Sequence, residues 1–128
     1  MNKGRAESLI GKLIEIILDD VELVNNEWDS AIFVAVLGQP NSVFGFRYLG
    51  DEAHPTTPVT VELLELLGEL QKATSDEDHS PWGACLILLD RKTGDFDIDF
   101  EYENPEKWQL RPSNYKTLPL ELKRHFTS

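Results

Sequence analysis

The chain has 128 residues, 41% of them hydrophobic, with 23 Asp and Glu against 12 Lys and Arg, a formal net charge of -11. That is apolar material for one core, so a single domain over residues 1–128 is expected. The charge disfavours nucleic acid and anionic membrane as partners and draws in basic ones.

The charge is also segregated. Residues 1–12 hold three bases and residues 105–128 hold five, whereas residues 13–104 hold 20 acids against four bases. Cys85 is the one cysteine, which excludes an internal disulfide and agrees with a reducing compartment. No apolar run approaches the roughly 20 residues of a membrane span, and Met1-Asn2-Lys3-Gly4-Arg5 opens no signal-peptide pattern. A cytoplasmic location is expected.

In chain order, Leu9, Ile10, Leu13, Ile14, Ile16 and Ile17 recur at spacings of three and four, which predicts a helix from Ala6 to about Asp20. Glu22 to Asp29 is polar and carries the turn signal Asn25-Asn26. Ala31 to Leu37 is unbroken apolar sequence, as in a strand buried on both faces. A turn at Gly38–Ser42 leads into Val43–Leu49, with Phe44, Phe46 and Tyr48 on one side and Arg47 on the other, completing a hairpin.

Gly50 to Pro58 reads as loop, with Thr57-Pro58 placed to cap a second helix. Leu63, Leu64, Leu66, Leu67 and Leu70 give that helix its stripe, opposite Glu62, Glu65 and Glu69. It ends near Ala73, before the charged connection from Thr74 to Pro81. Ala84–Leu89, the turn Asp90–Gly94 and the alternating stretch Asp95–Glu103 predict a second hairpin. Pro105, Pro112 and Pro119 forbid a long helix in the tail, and Leu120–Phe126 allows a short one. The expectation is therefore an α+β fold of order α-β-β-α-β-β-α. Its two hairpins make an antiparallel sheet of about four strands, with the helices packed mainly on one face.

The strand Asp95–Glu103 is the functional candidate. Alternation places Phe96, Ile98, Phe100 and Tyr102 on one face and Asp95, Asp97, Asp99, Glu101 and Glu103 on the other. Neighbouring carboxylates about 6.5–7 Å apart repel within a Debye length of about 8 Å, so the row costs stability unless cations answer it. Two readings fit: a basic partner supplies the cations, or the row is the solvated, aggregation-resistant face of an outer strand relieved by neighbouring bases.

Catalytic, cofactor and metal readings find less support. Asp97-x-Asp99 with Glu101 sets carboxylates side by side without converging them on a cation, and Asp76-Glu77-Asp78-His79 lacks the spacing and glycine of a calcium loop. Cys85 reads as core, since an apolar strand raises a thiol pKa instead of activating it. His54, His79 and His125 fall in loops or at the end, paired with no nucleophile. Trp28, Trp82 and Trp108 stand at element boundaries, where such rings plug core edges or make interface centres. No enzyme, no cofactor and no metal is expected.

The series Ser80-Pro81-Trp82, an apolar strand, and Lys92-Thr93-Gly94-Asp95-Phe96-Asp97-Ile98-Asp99-Phe100-Glu101-Tyr102-Glu103 resembles the YezG-like immunity proteins. In that family a helix, a hairpin and a second helix precede a Pro-Trp, a Thr-Gly turn and an Asp-Phe or Asp-Tyr strand. The proline-containing tail from Gln109 to Ser128 is not placed by this pattern. The resemblance implies a cytoplasmic antitoxin that binds the toxin domain of a secreted or contact-delivered polymorphic toxin, often a nuclease, and blocks its active site. On that reading Asp97, Asp99, Glu101 and Glu103, chosen on charge, face Lys and Arg of the toxin. The alternative is an acidic adaptor or regulatory module for another basic protein.

Overall fold

Strand β1 (Ser30–Val36) is the centre of the fold, and Ala31 to Val36 are all buried. A computed structural model describes residues 3–38, 41–56, 61–75 and 81–127 of the chain. β1 pairs antiparallel with β2 (Ser42–Leu49) on one side and with β4 (Ala84–Asp90) on the other. β3 (Glu52–Thr56) extends the sheet beyond β2, and β5 (Phe96–Glu101) extends it beyond β4, giving the order β3-β2-β1-β4-β5.

Both faces of this sheet are covered. Helix α1 (Lys3–Leu18) and helix α3 (Val61–Thr74) bury Leu9, Leu13, Leu63, Leu67 and Leu70 against Ala31, Phe33, Ala35, Cys85, Ile87 and Leu89. The short helix α2 (Val21–Val24) adds Leu23 to the same layer and is capped by Asp20, whose side chain accepts from the Glu22 N–H. On the other face, Ile32, Val34, Phe44, Phe46 and Leu86 pack against the tail. The tail is a single 3-10 turn (Pro105–Trp108) followed by helix α4 (Leu118–Thr127), contributing Trp108, Leu118 and Leu122.

The α+β class and the antiparallel sheet are as the sequence predicts, with three corrections. The sheet has five strands, not about four, because Glu52–Thr56, read as loop, pairs with β2 from Gly45↔Thr56 to Leu49↔Glu52. Gly50 makes the tight reversal with φ 59, a conformation glycine adopts at no steric cost, and Pro55 is tolerated because the strand lies at an edge. The helices pack on both faces, not mainly on one. The proline-containing tail supplies the second layer, and Pro119 sits in the first turn of α4, where its missing N–H breaks no helical bond. The alternating strand is shorter than Asp95–Glu103, so Asp95 and Glu103 lie just outside β5. The expected Thr57-Pro58 cap and the Asp76–His79 run lie outside the described residues.

All three tryptophans plug the core, exposed by 7% or less. Gly45 stands opposite Phe33 in the register, and a Cβ there would lie 2.4 Å from the Phe33 ring and 2.9 Å from the Ile32 carbonyl. Gly45→Ala should therefore lower unfolding stability by about 1–3 kcal/mol through overpacking, read as a fall in the urea midpoint at unchanged slope.

Candidate functional site

β5 owes its place to contacts at both faces. Phe100 stacks on Trp82 at 5.2 Å, and the Trp82 indole N–H donates to Thr74 Oγ1 at 2.8 Å, tying the strand to α3. Ile98 and Phe100 join the α1/α3 layer as partly buried residues. Phe96 and Tyr102, expected in the core with them, are 51% and 47% exposed, because the covering layer ends before they do.

Asp97, Asp99 and Glu101 share the opposite face of the strand, the face over which α4 runs. They do not stand alike. Asp99 is engaged through both oxygens: Oδ1 accepts from the Phe100 N–H at 2.9 Å and Oδ2 from His125 Nε2 at 2.6 Å. A carboxylate only accepts, so the His125 proton sits on Nε2 in this contact. The His125 ring is held edge-on between Trp108 at 5.1 Å and Phe126 at 5.2 Å. Asp97, Glu101 and Glu103, by contrast, meet no cation within ion-pair distance among the described residues, and Asp97 and Glu103 are exposed. Of the four residues chosen on charge, one helps to hold the fold and three meet no cation among the described residues.

His125 escaped the sequence reading because it lies 26 residues from Asp99, with nothing local to signal the pair. The turn before β5 is built from Asp90, whose Oδ1 accepts from the N–H groups of Lys92 and Thr93, and from Gly94 at φ 75. Arg91 turns away from the acids to lie over the Trp28 ring at 5.4 Å. Arg47, with Nε and Nη1 buried and unpaired among the described residues, stands on the α1/α3 face of β2 and leaves the acidic row unanswered.

Cys85 is not poised as a nucleophile. Cys85 is 1% exposed, and burial, with Asp99 adding to it, pushes its thiol far above the usual range. Among the described residues no three His, Cys, Asp or Glu gather as a metal-holding group, and no helix is long and apolar enough to cross a membrane. An open groove of about 900 Å³ lies between the β2–β3 end of the sheet and the tail, with Tyr48, Tyr115, Leu120 and Lys123 in its wall.

Three outcomes follow. Asp99→Ala should cost about 0.5–1 kcal/mol, a modest value because the Asp99 side chain is 53% and the His125 side chain 31% exposed, measured by urea unfolding. The Cys85 thiol should react with an alkylating reagent only as fast as the protein opens, so its labelling rate rises with denaturant in step with unfolding. Burial raises the Tyr48 phenol well above its ordinary value near 10, and Tyr48 Oη donates to the Pro119 carbonyl at 2.6 Å. With the folded pKa raised, the stability tied to the neutral phenol is complete below about pH 10 and lost above it as the unfolded chain ionises. Tyr48→Phe should flatten that alkaline loss while lowering stability at pH 7.

No curated protein matches the chain. A family model does: the description "Immunity protein YezG-like" covers residues 56–118, just under half of the chain. The matched stretch runs from the last residue of β3 through α3, β4, β5 and the 3-10 turn to the first residue of α4. Residues 56–118, the part that contains the acidic strand, are thus similar to the YezG-like immunity proteins.

Proposed function

We propose that the chain is an antitoxin: it binds a cognate toxin domain in the cytoplasm, as one domain over residues 1–128 and without catalysis of its own. The observation that carries this reading is the immunity-protein match over residues 56–118. The net charge of -11 supports a basic partner. A nuclease must be basic around its phosphate site, so an acidic inhibitor approaches it faster and discriminates against acidic competitors. The toxin would be a nuclease delivered by contact or secretion, met by Asp97, Glu101 and Glu103, with Asp99 contributing once its bond to His125 opens.

Co-expression with the C-terminal domain of the toxin encoded immediately upstream tests this, read as cell growth and co-purification. The variant set is Asp97→Asn, Glu101→Gln and Glu103→Gln together, with and without Asp99→Asn; the triple change leaves the Asp99 bonds in place. Wild type should restore growth, and the triple variant should bind about tenfold more weakly with a shallower dependence on salt. Rescue at full strength by both variants discards the acidic row and keeps the antitoxin. Absence of rescue by wild type favours an acidic adaptor for another basic protein.

A further inference from the structure

β5 ends the sheet, and among the described residues no strand pairs with its outer edge. The phase of its backbone follows from one bond, the Asp90 N–H to the Asp95 carbonyl at 2.9 Å. Antiparallel alternation from that bond turns the backbone groups of Asp97, Asp99 and Glu101 toward β4 and those of Phe96, Ile98 and Phe100 outward. The Phe100 N–H is taken by Asp99 Oδ1. The N–H groups of Phe96 and Ile98 and all three carbonyls face out with no strand to meet them.

The two ends of the sheet differ. β3 carries Pro55, which has no N–H to offer a new strand. β5 has no proline and no lysine among its six residues, about 20 Å of regular edge. Its side chains state what could lie beside it: the half-exposed Phe96 with Ile98 and Phe100 on one face, and Asp97, Asp99 and Glu101 on the other.

A second copy is a poor occupant. Antiparallel pairing of two β5 edges turns on an axis perpendicular to the sheet, which keeps each acidic face on the same side and sets carboxylate beside carboxylate. Parallel pairing turns on an axis along the strand and sets those carboxylates beside Phe96 and Ile98. A strand that alternates cations with apolar residues meets neither obstacle. The geometry points to β5 as a docking edge that takes up an extended segment of a basic protein as a sixth strand, Lys or Arg lying beside Asp97, Asp99 and Glu101 and apolar residues beside Phe96, Ile98 and Phe100. This deepens the antitoxin reading, on which the identity of the basic protein as a toxin rests.

The test adds a twelve-residue peptide alternating Lys and Val to the full chain at low salt, with a Glu and Val peptide of equal length as control, and reads amide hydrogen exchange residue by residue by NMR. The Lys peptide should slow exchange at Phe96 and Ile98 about tenfold, and the Glu peptide should leave both unchanged. Phe96→Pro removes an outward N–H at the first residue of the strand, where proline is tolerated, and should weaken the Lys peptide about tenfold. Phe96→Val keeps that N–H and should stay within about threefold of wild type. Unchanged exchange at both amides, or equal affinity of the two variants once circular dichroism shows both folded, overturns the docking edge. The upstream toxin domain is run in parallel. If it binds without protecting Phe96 and Ile98, the edge is overturned and the antitoxin reading stands. If the peptide protects them and the toxin domain does not bind, the edge stands and the antitoxin reading falls.

Discussion

β1 has six consecutive buried residues, Ala31 to Val36, and successive side chains of a strand point to opposite faces. A strand so placed requires cover on both sides of the sheet, and the architecture is the answer to that requirement. Ala31, Phe33 and Ala35 take α1 and α3; Ile32, Val34 and Val36 take the 3-10 turn and α4. The first segment of the chain, with α3, is thus one outer layer around this strand, and the last segment is the other. The Tyr48 hydroxyl bond to Pro119 fastens the second layer to β2.

The same two layers fix β5, although it lies two strands from the centre. One side of it is held through Phe100, Trp82 and Thr74 to α3, and the other through Asp99 and His125 to α4. Both attachments are at the middle and far end of the strand, so its beginning, at Phe96, stands clear of cover. The acids obey the same geometry. Asp99 lies where α4 passes and is bonded by it, while Asp97, earlier in the strand, and Glu103, just beyond its end, are exposed and meet no cation among the described residues. Carboxylates about 7 Å apart repel within the Debye length, and one histidine among the described residues answers them. The fold can carry this repulsion because the strand is anchored by apolar contacts on its other face.

Much of this was legible in the sequence where the signal is local. The three-four spacing of Leu9, Leu13 and Ile17 and of Leu63, Leu67 and Leu70 marks α1 and α3, and period-two alternation marks β2 and β5. What was not legible depends on distant partners. Glu-Ala-His-Pro-Thr has no apolar alternation and only Thr56 as a β-branched residue, and becomes β3 because β2 offers it an open ladder. The unbroken apolar run of β1 already implied cover on both faces, yet the tail hides its share of that cover. Leu118, Leu122 and Phe126 stand four apart, but that stripe is short and contains Pro119, and Trp108 lies ten residues before it across Pro112, so the sequence shows a short helix without showing which face of the sheet it covers. Asp99 likewise looks like its neighbours in the strand until α4 is in place.

The extent of the family match takes on meaning against this architecture. Residues 56–118 include β4 and β5, but β4 pairs with β1 along its whole length, from Val36↔Ala84 to Ser30↔Asp90, and β1 lies outside the matched stretch. Most of α4, and all of α1, lie outside it too. The matched residues therefore do not bury their own strands completely: without β1 the ladder of β4 is half empty, and without α1 the apolar face of Ile87 and Leu89 keeps only the cover of α3. The match holds α3, β4, the acidic strand and its turn, on a frame that β1, β2, α1 and most of α4 complete. The carboxylates of Asp97, Glu101 and Glu103 can then vary with little consequence for the core, because they bond to no side chain of that frame among the described residues, whereas a change at Asp99 removes the bond to His125 of α4.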